Sequence, residues 1–371
     1  MIKKKRILFL SPLPPPHYGA AMSSEMCLDI LKQSKKFEVR NIKLNFATEM
    51  NVLVPKWKKI FSFFNTIKNL LFELKNFKPD LVYFVPATTS FGLIRDYLFV
   101  RKIKRYYNGK ILFHVRSRMI DWDSSLGRKM YEGIFRKEMA IVLDECLKED
   151  LGDLIPDEKI FVLPNAIKNE VSNKEFEKII VSRRKNDKFR ILFLSNMDES
   201  KGWFKLLEAC RILKNNNFNF ECNLVGAWSD SKDEEKFYSF VKKNSLSGFV
   251  NYLGVKINNK KNRILKKSDV LVFPTEYKLE TFGRVIIEGM MFGLPVIANG
   301  IASIPKIIQD GETGFVLKEN SPSEIADCVS KLRNRKLREK MGGLGRKRFL
   351  KNYEVENYKK KFLKIIYNII Y

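Results

Sequence analysis

Short runs of apolar residues recur along the chain, and each ends at a small or turn-forming residue. In the first half these runs span 6–10, 80–85, 110–115, 139–144 and 159–164. Continuous apolarity, rather than alternation, is typical of buried strands in a parallel sheet. Between the runs, apolar residues at three- and four-residue steps predict helices, most clearly from Trp57 to Leu74. This alternation of strand and helix predicts an α/β fold with a doubly wound sheet.

The same rhythm restarts in the second half of the chain. Its apolar runs span 189–195, 220–226, 249–255, 269–275 and 294–300. The charged segment 168–188 separates the two series and marks the domain boundary. We therefore predict two Rossmann-like domains, a linker and a C-terminal helix that is a candidate to pack back on the first domain: 1–170, 171–188, 189–350 and 351–371.

Positive charge is concentrated at the two ends of the chain. Residues 1–120 hold 23 basic and 7 acidic side chains, and residues 331–371 hold 14 and 3, within a total net charge of +27. If the ends fold together, they form a basic side suited to anionic lipid or another polyanion, although a solvated lysine-rich surface would have the same composition. The helix from Trp57 to Phe77 and the segment 95–107 mix basic and aromatic residues, so both are candidates for an anionic membrane surface. An aromatic stripe at helical spacing is also typical of a buried core.

The composition argues against disulfide, membrane-spanning and nucleic-acid-binding classes of protein. The five cysteines form no C-x-x-C pair, which argues against a disulfide framework or thiolate metal site and favours a reducing, cytoplasmic setting. No apolar stretch approaches the length of a transmembrane helix, and the short run Ile7–Leu10 reads as a strand rather than a signal peptide. We find no zinc module, RRM signature or recognition helix, so we expect no nucleic-acid partner.

The densest candidate chemistry lies between Glu280 and Ala298. Glu280 is expected in a loop and Glu288 in the apolar helix that follows, since two residues eight positions apart on one helix would not share a face. Carboxylates in these positions can bind sugar and ribose hydroxyls, although two ordinary surface glutamates beside a core helix are the alternative. The backbone N–H groups expected to be free at the helix start, where they attract phosphate, belong to Phe282, Gly283 and Arg284.

The two glutamates, followed by G-M-M-x-G-x-P-V-I-A, resemble the E-x7-E signature of retaining glycosyltransferases of the GT-B class, glycosyltransferase family 4 or "glycosyl transferases group 1". The resemblance implies two Rossmann-like domains facing across a cleft, with the acceptor on the first and the nucleotide sugar on the second. It further implies transfer, with retention of configuration, of a hexose or N-acetylhexosamine from a UDP- or GDP-sugar. The expected acceptor is a glycan or a lipid-linked or lipopolysaccharide-type precursor in cell-surface polysaccharide synthesis.

Further segments resemble this family in the expected order. Residues 14–20 resemble its glycine-rich donor loop, with Ala20 in place of the second glycine, and 195–202 resemble G-R-L-x-x-x-K-G, with Asn196 in place of the arginine. Residues 113–117 resemble the strand whose histidine approaches the transferred sugar, although His114 can also be a structural histidine. The resemblance implies catalytic roles for His114, Lys201 and Glu280, and donor binding by Gly19, Asn196, Lys201, Phe282, Gly283, Arg284 and Glu288.

These assignments suggest how the reaction would proceed. The Lys201 ammonium can neutralise the departing diphosphate, and Arg284 is a candidate substitute for the missing arginine. Asp121 and Asp123 form no D-x-D flanked by apolar residues, so we expect no divalent metal and no cofactor besides the nucleotide-sugar substrate. We also expect peripheral attachment at the inner face of the membrane. The alternatives are a degenerate nucleotide- or polyanion-binding protein and a sugar-nucleotide epimerase.

Overall fold

The computed structural model describes residues 4–15, 19–44, 56–87, 90–118 and 124–371. The chain divides into two compact units. Unit 1 consists of Met1–Asn165 and Tyr358–Tyr371, and unit 2 of Ala166–Asn357. Within the described residues, each unit holds one six-stranded parallel sheet with helices packed around it.

Unit 1 has the strand order β2-β1-β3-β4-β5-β6. Neighbouring strands run parallel, with Ile7 opposite Leu81 in the centre of the sheet. Three 3-10 turns precede its last strand, at Glu145–Leu147, Glu149–Leu151 and Asp157–Lys159. Its strands and helices are β1 Lys5–Ser11, α1 Gly19–Gln33, β2 Phe37–Lys43, α2 Lys56–Asn76, β3 Leu81–Phe84, α3 Ser90–Tyr106, β4 Lys110–His114, α4 Ser125–Phe135, β5 Met139–Val142 and β6 Ile160–Val162.

Unit 2 has the strand order β12-β11-β10-β7-β8-β9, again parallel. A 3-10 turn spans Glu199–Lys201. Its elements are α5 Asn173–Arg183, β7 Phe189–Leu194, α6 Trp203–Asn215, β8 Phe220–Val225, α7 Ser231–Lys243, β9 Val250–Tyr252, α8 Asn258–Lys267, β10 Val270–Phe273, α9 Arg284–Met291, β11 Val296–Asn299, α10 Ile304–Ile307, β12 Gly314–Leu317, α11 Pro322–Lys331 and α12 Arg335–Asn352.

The chain ends in helix α13, Val355–Ile370. From Tyr358 onward this helix belongs to unit 1. Its Phe362 ring lies 5.9 Å from the ring of Tyr83 on β3, and Lys110 donates a hydrogen bond to the carbonyl oxygen of Ile369. The amphipathic spacing of its apolar residues therefore serves to cover the sheet of unit 1.

The α/β fold class and the doubly wound sheets predicted from the sequence are confirmed. Each of the ten predicted apolar runs falls on a strand, and the helix predicted from Trp57 is α2. Two strands were missed, β2 and β12, whereas the other two edge strands, β6 and β9, were predicted. β2 mixes four polar residues with three apolar ones, and β12 is a run of only four residues, so neither has the long apolar run that is typical of a buried strand. The segment 171–188, predicted as a linker, contains α5 of unit 2.

Candidate functional site

The strand order of unit 2 reverses between β7 and β10. From β7 the chain moves outward through β8 and β9, and it then returns to the other side of β7 to form β10, β11 and β12. In open α/β sheets, ligands bind beyond the carboxyl ends of the strands at such a reversal. The loops that follow β7 and β10 hold Lys201 and Glu280, so the fold brings these two predicted residues to the expected position.

Lys201 is positioned by the 3-10 turn that follows β7. The Asp198 carboxylate accepts a hydrogen bond from the backbone N–H of Ser200 at 2.9 Å, and Gly202 ends the turn in the left-handed region at φ +85°. The N–H of Glu276, in the loop after β10, donates to the carbonyl oxygen of Ser200 at 2.7 Å. The two loops therefore form one hydrogen-bonded structure at the sheet edge.

Lys201 and Glu280 form an ion pair at the centre of this structure. The Lys201 Nζ lies 3.0 Å from Glu280 Oε2, and both side chains are mostly buried. The same ammonium lies 3.7 Å from the centroid of the Tyr277 ring, a cation–π contact. Burial, followed by the nearby negative charges of Asp198 and Glu280, raises the pKa of Tyr277, so its phenol stays neutral. The site therefore presents a cation and a carboxylate side by side.

Gly283 joins Glu280 to the start of α9. Gly283 has φ +66°, and its N–H donates to Glu280 Oε1 at 3.0 Å. Our expectation that this N–H is free for phosphate is therefore wrong. A side-chain carboxylate caps the helix start, where the helix dipole favours a negative charge. Glu280 thus connects two predicted donor-binding groups, Lys201 through one oxygen and Gly283 through the other.

Glu288 lies one turn inside α9, as predicted, and is buried. Its Oε2 accepts a hydrogen bond from Lys261 on α8 at 2.7 Å, and its Oε1 lies 3.9 Å from Nε of Arg284. Glu288 is therefore not an ordinary surface glutamate, because its carboxylate is mostly buried and pairs with two cations. Arg284 is engaged with this carboxylate.

The other predicted donor-binding residues are less closely tied to this centre. Phe282 is buried with its ring 5.9 Å from that of Tyr353, so its side chain is part of the packing of unit 2. Asn196 is exposed after β7, and its side chain makes no hydrogen bond in the part of the chain that the structure describes. Gly19 opens α1 of unit 1, with open space where a Cβ would lie. His17, Asp121 and Asp123 lie outside the described residues.

His114 is fully buried at the end of β4 in unit 1. Its Nδ1 contacts the hydroxyl of Tyr83 and lies 3.2 Å from Nη2 of Arg116, while its Nε2 is buried without a hydrogen-bond partner among the described residues. Burial, followed by the positive charge of Arg116, lowers the pKa of His114 well below its ordinary value. His114 is therefore a neutral imidazole at physiological pH.

This neutral histidine should make the stability of the protein depend on pH. The unfolded chain binds a proton on His114 near the ordinary pKa of about 6.5, whereas the folded chain does not. The free energy of unfolding is therefore highest above that pH and decreases as the pH falls below it. We expect a loss of up to about 1.4 kcal/mol per pH unit below pH 6.5. Urea unfolding between pH 7.5 and 5.5 measures it. The His114→Gln variant should lack this component, and parallel curves for the two proteins would contradict the prediction.

Four residues near the predicted groups were missed by the sequence analysis. Tyr277 and Lys261 contact Lys201 and Glu288, and Tyr83 and Arg116 contact His114. The available signal was weak: Tyr277 and Arg116 each follow a predicted strand closely, where loop residues at the carboxyl edge gather. Lys261 and Tyr83 lie within a helix and a strand, and only the tertiary structure of each unit brings Lys261 to Glu288 and Tyr83 to His114.

Metal-binding clusters and membrane-spanning helices are both absent from the described residues. Within 4–15, 19–44, 56–87, 90–118 and 124–371, no three His, Cys, Asp or Glu side chains are grouped so as to hold a metal ion. Over the same ranges, no helix has both the length and the apolar character needed to cross a bilayer.

Comparison with known proteins adds independent information. Residues 174–348 match the sequence model of the family described as "Glycosyl transferases group 1". The capsular polysaccharide biosynthesis glycosyltransferase CapM of Staphylococcus aureus is 25% identical over 327 residues, which cover 82% of this chain and 81% of CapM. A glycosyltransferase from Rickettsia africae has a TM-score of 0.74 at 20% identity over 99% of both chains. HepE of Anabaena, solved with UDP-glucose, has a TM-score of 0.74 at 15% identity, over 98% of this chain and 99% of HepE.

The match to the family lies in unit 2 and includes the loops that carry Lys201 and Glu280 and the helix that carries Glu288. The likeness to the solved structures extends over nearly the whole chain and concerns the fold. Residues 174–348 thus match the glycosyl transferases group 1 family, and the chain has the GT-B fold of glycosyltransferases.

Proposed function

We propose that this protein is a retaining glycosyltransferase that moves a hexose or N-acetylhexosamine from a UDP- or GDP-sugar to a glycan or lipid-linked acceptor. The observation that carries the proposal is the ion pair of Lys201 and Glu280 at the strand reversal of unit 2. A nucleotide sugar needs a cation beside its diphosphate and an acceptor of hydrogen bonds beside its sugar hydroxyls. This pair supplies both within one site.

Each charged group at the site has a chemical role in this proposal. Glycosyl transfer develops positive character on the sugar and negative charge on the departing diphosphate. Lys201 would stabilise the departing diphosphate from a position set by Tyr277 and Glu280. Glu280 would accept hydrogen bonds from the sugar, and Glu288 from the ribose. Lys201 can meet the charge of the diphosphate directly, so we propose a reaction without a divalent metal.

The relatives support a role in polysaccharide synthesis. CapM is named for capsular polysaccharide biosynthesis, and HepE was solved with UDP-glucose. We therefore propose a UDP-sugar as the first donor to test and a cell-surface polysaccharide precursor as the acceptor. In this proposal unit 1 binds the acceptor and unit 2 binds the donor.

A donor titration tests the proposal. We expect one nucleotide class among UDP, GDP, UDP-glucose, UDP-N-acetylglucosamine and GDP-mannose to raise the melting temperature, equally with and without EDTA. Saturation at a hundred times the dissociation constant corresponds to about 2.7 kcal/mol. NMR of the product's anomeric proton then tests retention. Interconversion of the sugar nucleotide without acceptor would favour an epimerase. A lack of binding to a broader donor panel would favour a degenerate protein.

A peripheral membrane location is supported by one exposed face of α2. Phe61, Phe64 and Phe72 are 66%, 63% and 58% exposed. Together with the exposed Lys68 and Lys75 they lie within about 80° of arc on the helix. The buried side chains that attach this helix to the sheet, Leu70, Leu74 and Phe77, occupy the opposite side. An exposed stripe of phenylalanine and lysine is suited to the interface of an anionic bilayer.

The neighbouring helix α3 carries a second stripe of this kind. The Phe63 ring of α2 contacts that of Phe99 on α3 at 5.4 Å, so the two helices pack side by side. Ile94 and Leu98 on α3 are exposed, and at helical spacing they share a face with the exposed Arg101 and Arg105. We propose that these stripes dock unit 1 on the anionic inner surface of the membrane, close to a lipid-linked acceptor.

Replacing the three phenylalanines of α2 with serine should abolish this docking. Burial of a phenylalanine side chain is worth about 1.5–3 kcal/mol, so we expect binding to vesicles of anionic phosphatidylglycerol to fall by about 10²-fold or more. Co-sedimentation at low salt measures it. A matched control replaces Val255 and Ile257 of unit 2, which are 61% and 64% exposed. Equal binding of the unmodified protein to neutral phosphatidylcholine would contradict the proposal.

A further inference from the structure

A buried polar cluster surrounds His114 in unit 1. Its members come from four elements of the sheet and its covering helices and from the segment after β4. Tyr83 lies on β3, His114 on β4, Cys27 on α1 and Tyr358 on α13, and Arg116 follows β4 by two residues. All five side chains are buried. A polar network in such a position is stable when its donors and acceptors match, so the hydrogen positions can be worked out from the partners.

Arg116 determines where the proton on His114 resides. A guanidinium has only N–H donors, and Arg116 Nη2 lies 3.2 Å from His114 Nδ1. Two N–H groups cannot face each other at this distance, so Nδ1 must accept with its lone pair. The Tyr83 hydroxyl, which also contacts Nδ1, can donate to it as well. A neutral imidazole whose Nδ1 accepts carries its proton on Nε2.

The remaining nitrogen of the ring then lacks an acceptor. His114 Nε2 is buried and has no hydrogen-bond partner within the described part of the chain. A buried N–H group without an acceptor is costly, and native proteins rarely retain one without a reason. Its position at the carboxyl end of β4, where ligands approach a parallel sheet, indicates that a ligand atom completes the hydrogen bond.

We propose that Arg116 and Tyr83 are positioning residues that hold His114 as a neutral hydrogen-bond donor, with its Nε2–H directed at an oxygen atom of the bound substrate. The identity of that oxygen rests on the proposed function, in which it is a carbohydrate hydroxyl. His114 therefore donates a hydrogen bond to a substrate oxygen and does not remove a proton. A general base in the same place would need an Nε2 lone pair.

The rest of the cluster holds Arg116 in place. Its Nη1 donates to Oδ1 of Asn165 at 3.0 Å, and its Nη2 also donates to the Cys27 sulfur at 3.3 Å. That sulfur lies 3.0 Å from the Tyr358 hydroxyl of α13. The C-terminal helix is thus connected to His114 through Cys27 and Arg116, which gives it a role beyond covering the sheet.

The test reads the imidazole protons directly. The 371-residue chain has two histidines, so ¹⁵N-histidine labelling of the full-length protein gives two imidazole spectra, and His17→Gln leaves His114 alone. We expect His114 to be in the Nε2–H form. The Tyr83→Phe variant should keep this form, because Arg116 still donates a hydrogen bond to Nδ1. Arg116→Gln should give a mixture of tautomers, and Arg116→Lys should restore the single form. An Nδ1–H or doubly protonated His114 in the unmodified protein overturns the proposal, even if every variant fails to fold.

A second measurement tests the donor role. The amide nitrogen of glutamine can occupy the place of Nε2, whereas that of asparagine lies near Nδ1. We expect His114→Gln to retain about tenfold more transfer activity than His114→Asn, the equivalent of one hydrogen bond. Equal loss in both variants contradicts donation to the substrate. The tautomer of His114 is measured in the absence of a sugar donor or a sugar acceptor. A failure of the proposed function is therefore distinguishable from a failure of the proposed role of His114.

Discussion

Replacing Lys201 with methionine should lower the rate of glycosyl transfer by about 10²–10³-fold. Loss of one preorganised group that faces developing negative charge has an effect of this size. The substitution removes the ammonium that pairs with Glu280 and lies over the Tyr277 ring, while it preserves most of the apolar stem. We also expect weaker binding of UDP or GDP, because the ground-state diphosphate loses the same cation. Initial rates and nucleotide titrations of the variant measure both effects.

Lys236 offers a closely matched control for this experiment. Its Nζ lies 2.6 Å from Glu199 and 4.0 Å from the centroid of the Phe204 ring, so it too combines an ion pair with a cation–π contact. Lys236→Met removes the same two kinds of contact at a more exposed position, and it should leave transfer nearly unchanged. If Lys201→Met retains activity within threefold of the unmodified protein, our assignment of the donor site is wrong.

Glu280→Gln separates the two members of the ion pair. The amide keeps the shape of the side chain and can still accept a hydrogen bond from the N–H of Gly283, but it leaves Lys201 without its carboxylate partner. Nucleotide binding should persist, because the free ammonium remains available to the diphosphate. Transfer should fall, because the amide is a weaker acceptor for the sugar hydroxyls. A parallel loss of binding and transfer would mean that Glu280 acts only as a structural partner of Lys201.

Replacing Gly202 with alanine should strongly destabilise unit 2. Gly202 has φ +85°, where an L-residue is strained, and an added Cβ would lie 2.2 Å from the carbonyl oxygen of Pro274. Neither atom can move without shifting a backbone segment. Strain of this kind and the accompanying displacement correspond to about 2–4 kcal/mol. The displaced segments carry Lys201 and Glu280, so nucleotide affinity should fall together with the melting temperature.

Gly248→Ala is the control for this substitution. Gly248 lies in a turn of unit 2, and nothing lies within 4 Å of its added Cβ. We expect its melting temperature and nucleotide affinity to match those of the unmodified protein. A Gly202→Ala variant that behaves like this control would show that the contact between the two loops is dispensable for the site.

The buried strands could be predicted from the sequence because burial on both faces of a sheet demands an uninterrupted apolar run. All ten such runs correspond to strands. The edge strand β2 could not be predicted, since most of its side chains are at least partly exposed and it has no continuous apolar run. Polar Glu38, Arg40 and Asn41 interrupt its apolar residues, and only pairing with β1 establishes that this segment is a strand.

Part of the candidate site could also be predicted from the sequence. The residues with chemical potential, Lys201, Glu280 and Glu288, stand in local motifs that the sequence displays directly. Their partners do not. Glu280 meets Lys201 across 79 positions of sequence, and Glu288 meets Lys261 across 27, because β7 and β10 are neighbours and α8 lies near α9. The hydrogen bond from the Gly283 N–H to Glu280 likewise depends on the local loop geometry that follows from this packing.

The sequence by itself therefore determined the alternation of strands and helices, the two-part α/β organisation and the residue types able to handle a diphosphate and sugar hydroxyls. These properties are local, since they depend on hydrophobic periodicity and on short motifs. The tertiary structure alone decided which charges neutralise each other, which helix faces remain exposed and where the proton of His114 resides. That last feature requires Tyr83, Arg116, Cys27 and Tyr358 to meet from distant parts of the chain. Such contacts depend on the packing of whole elements, which no local pattern encodes.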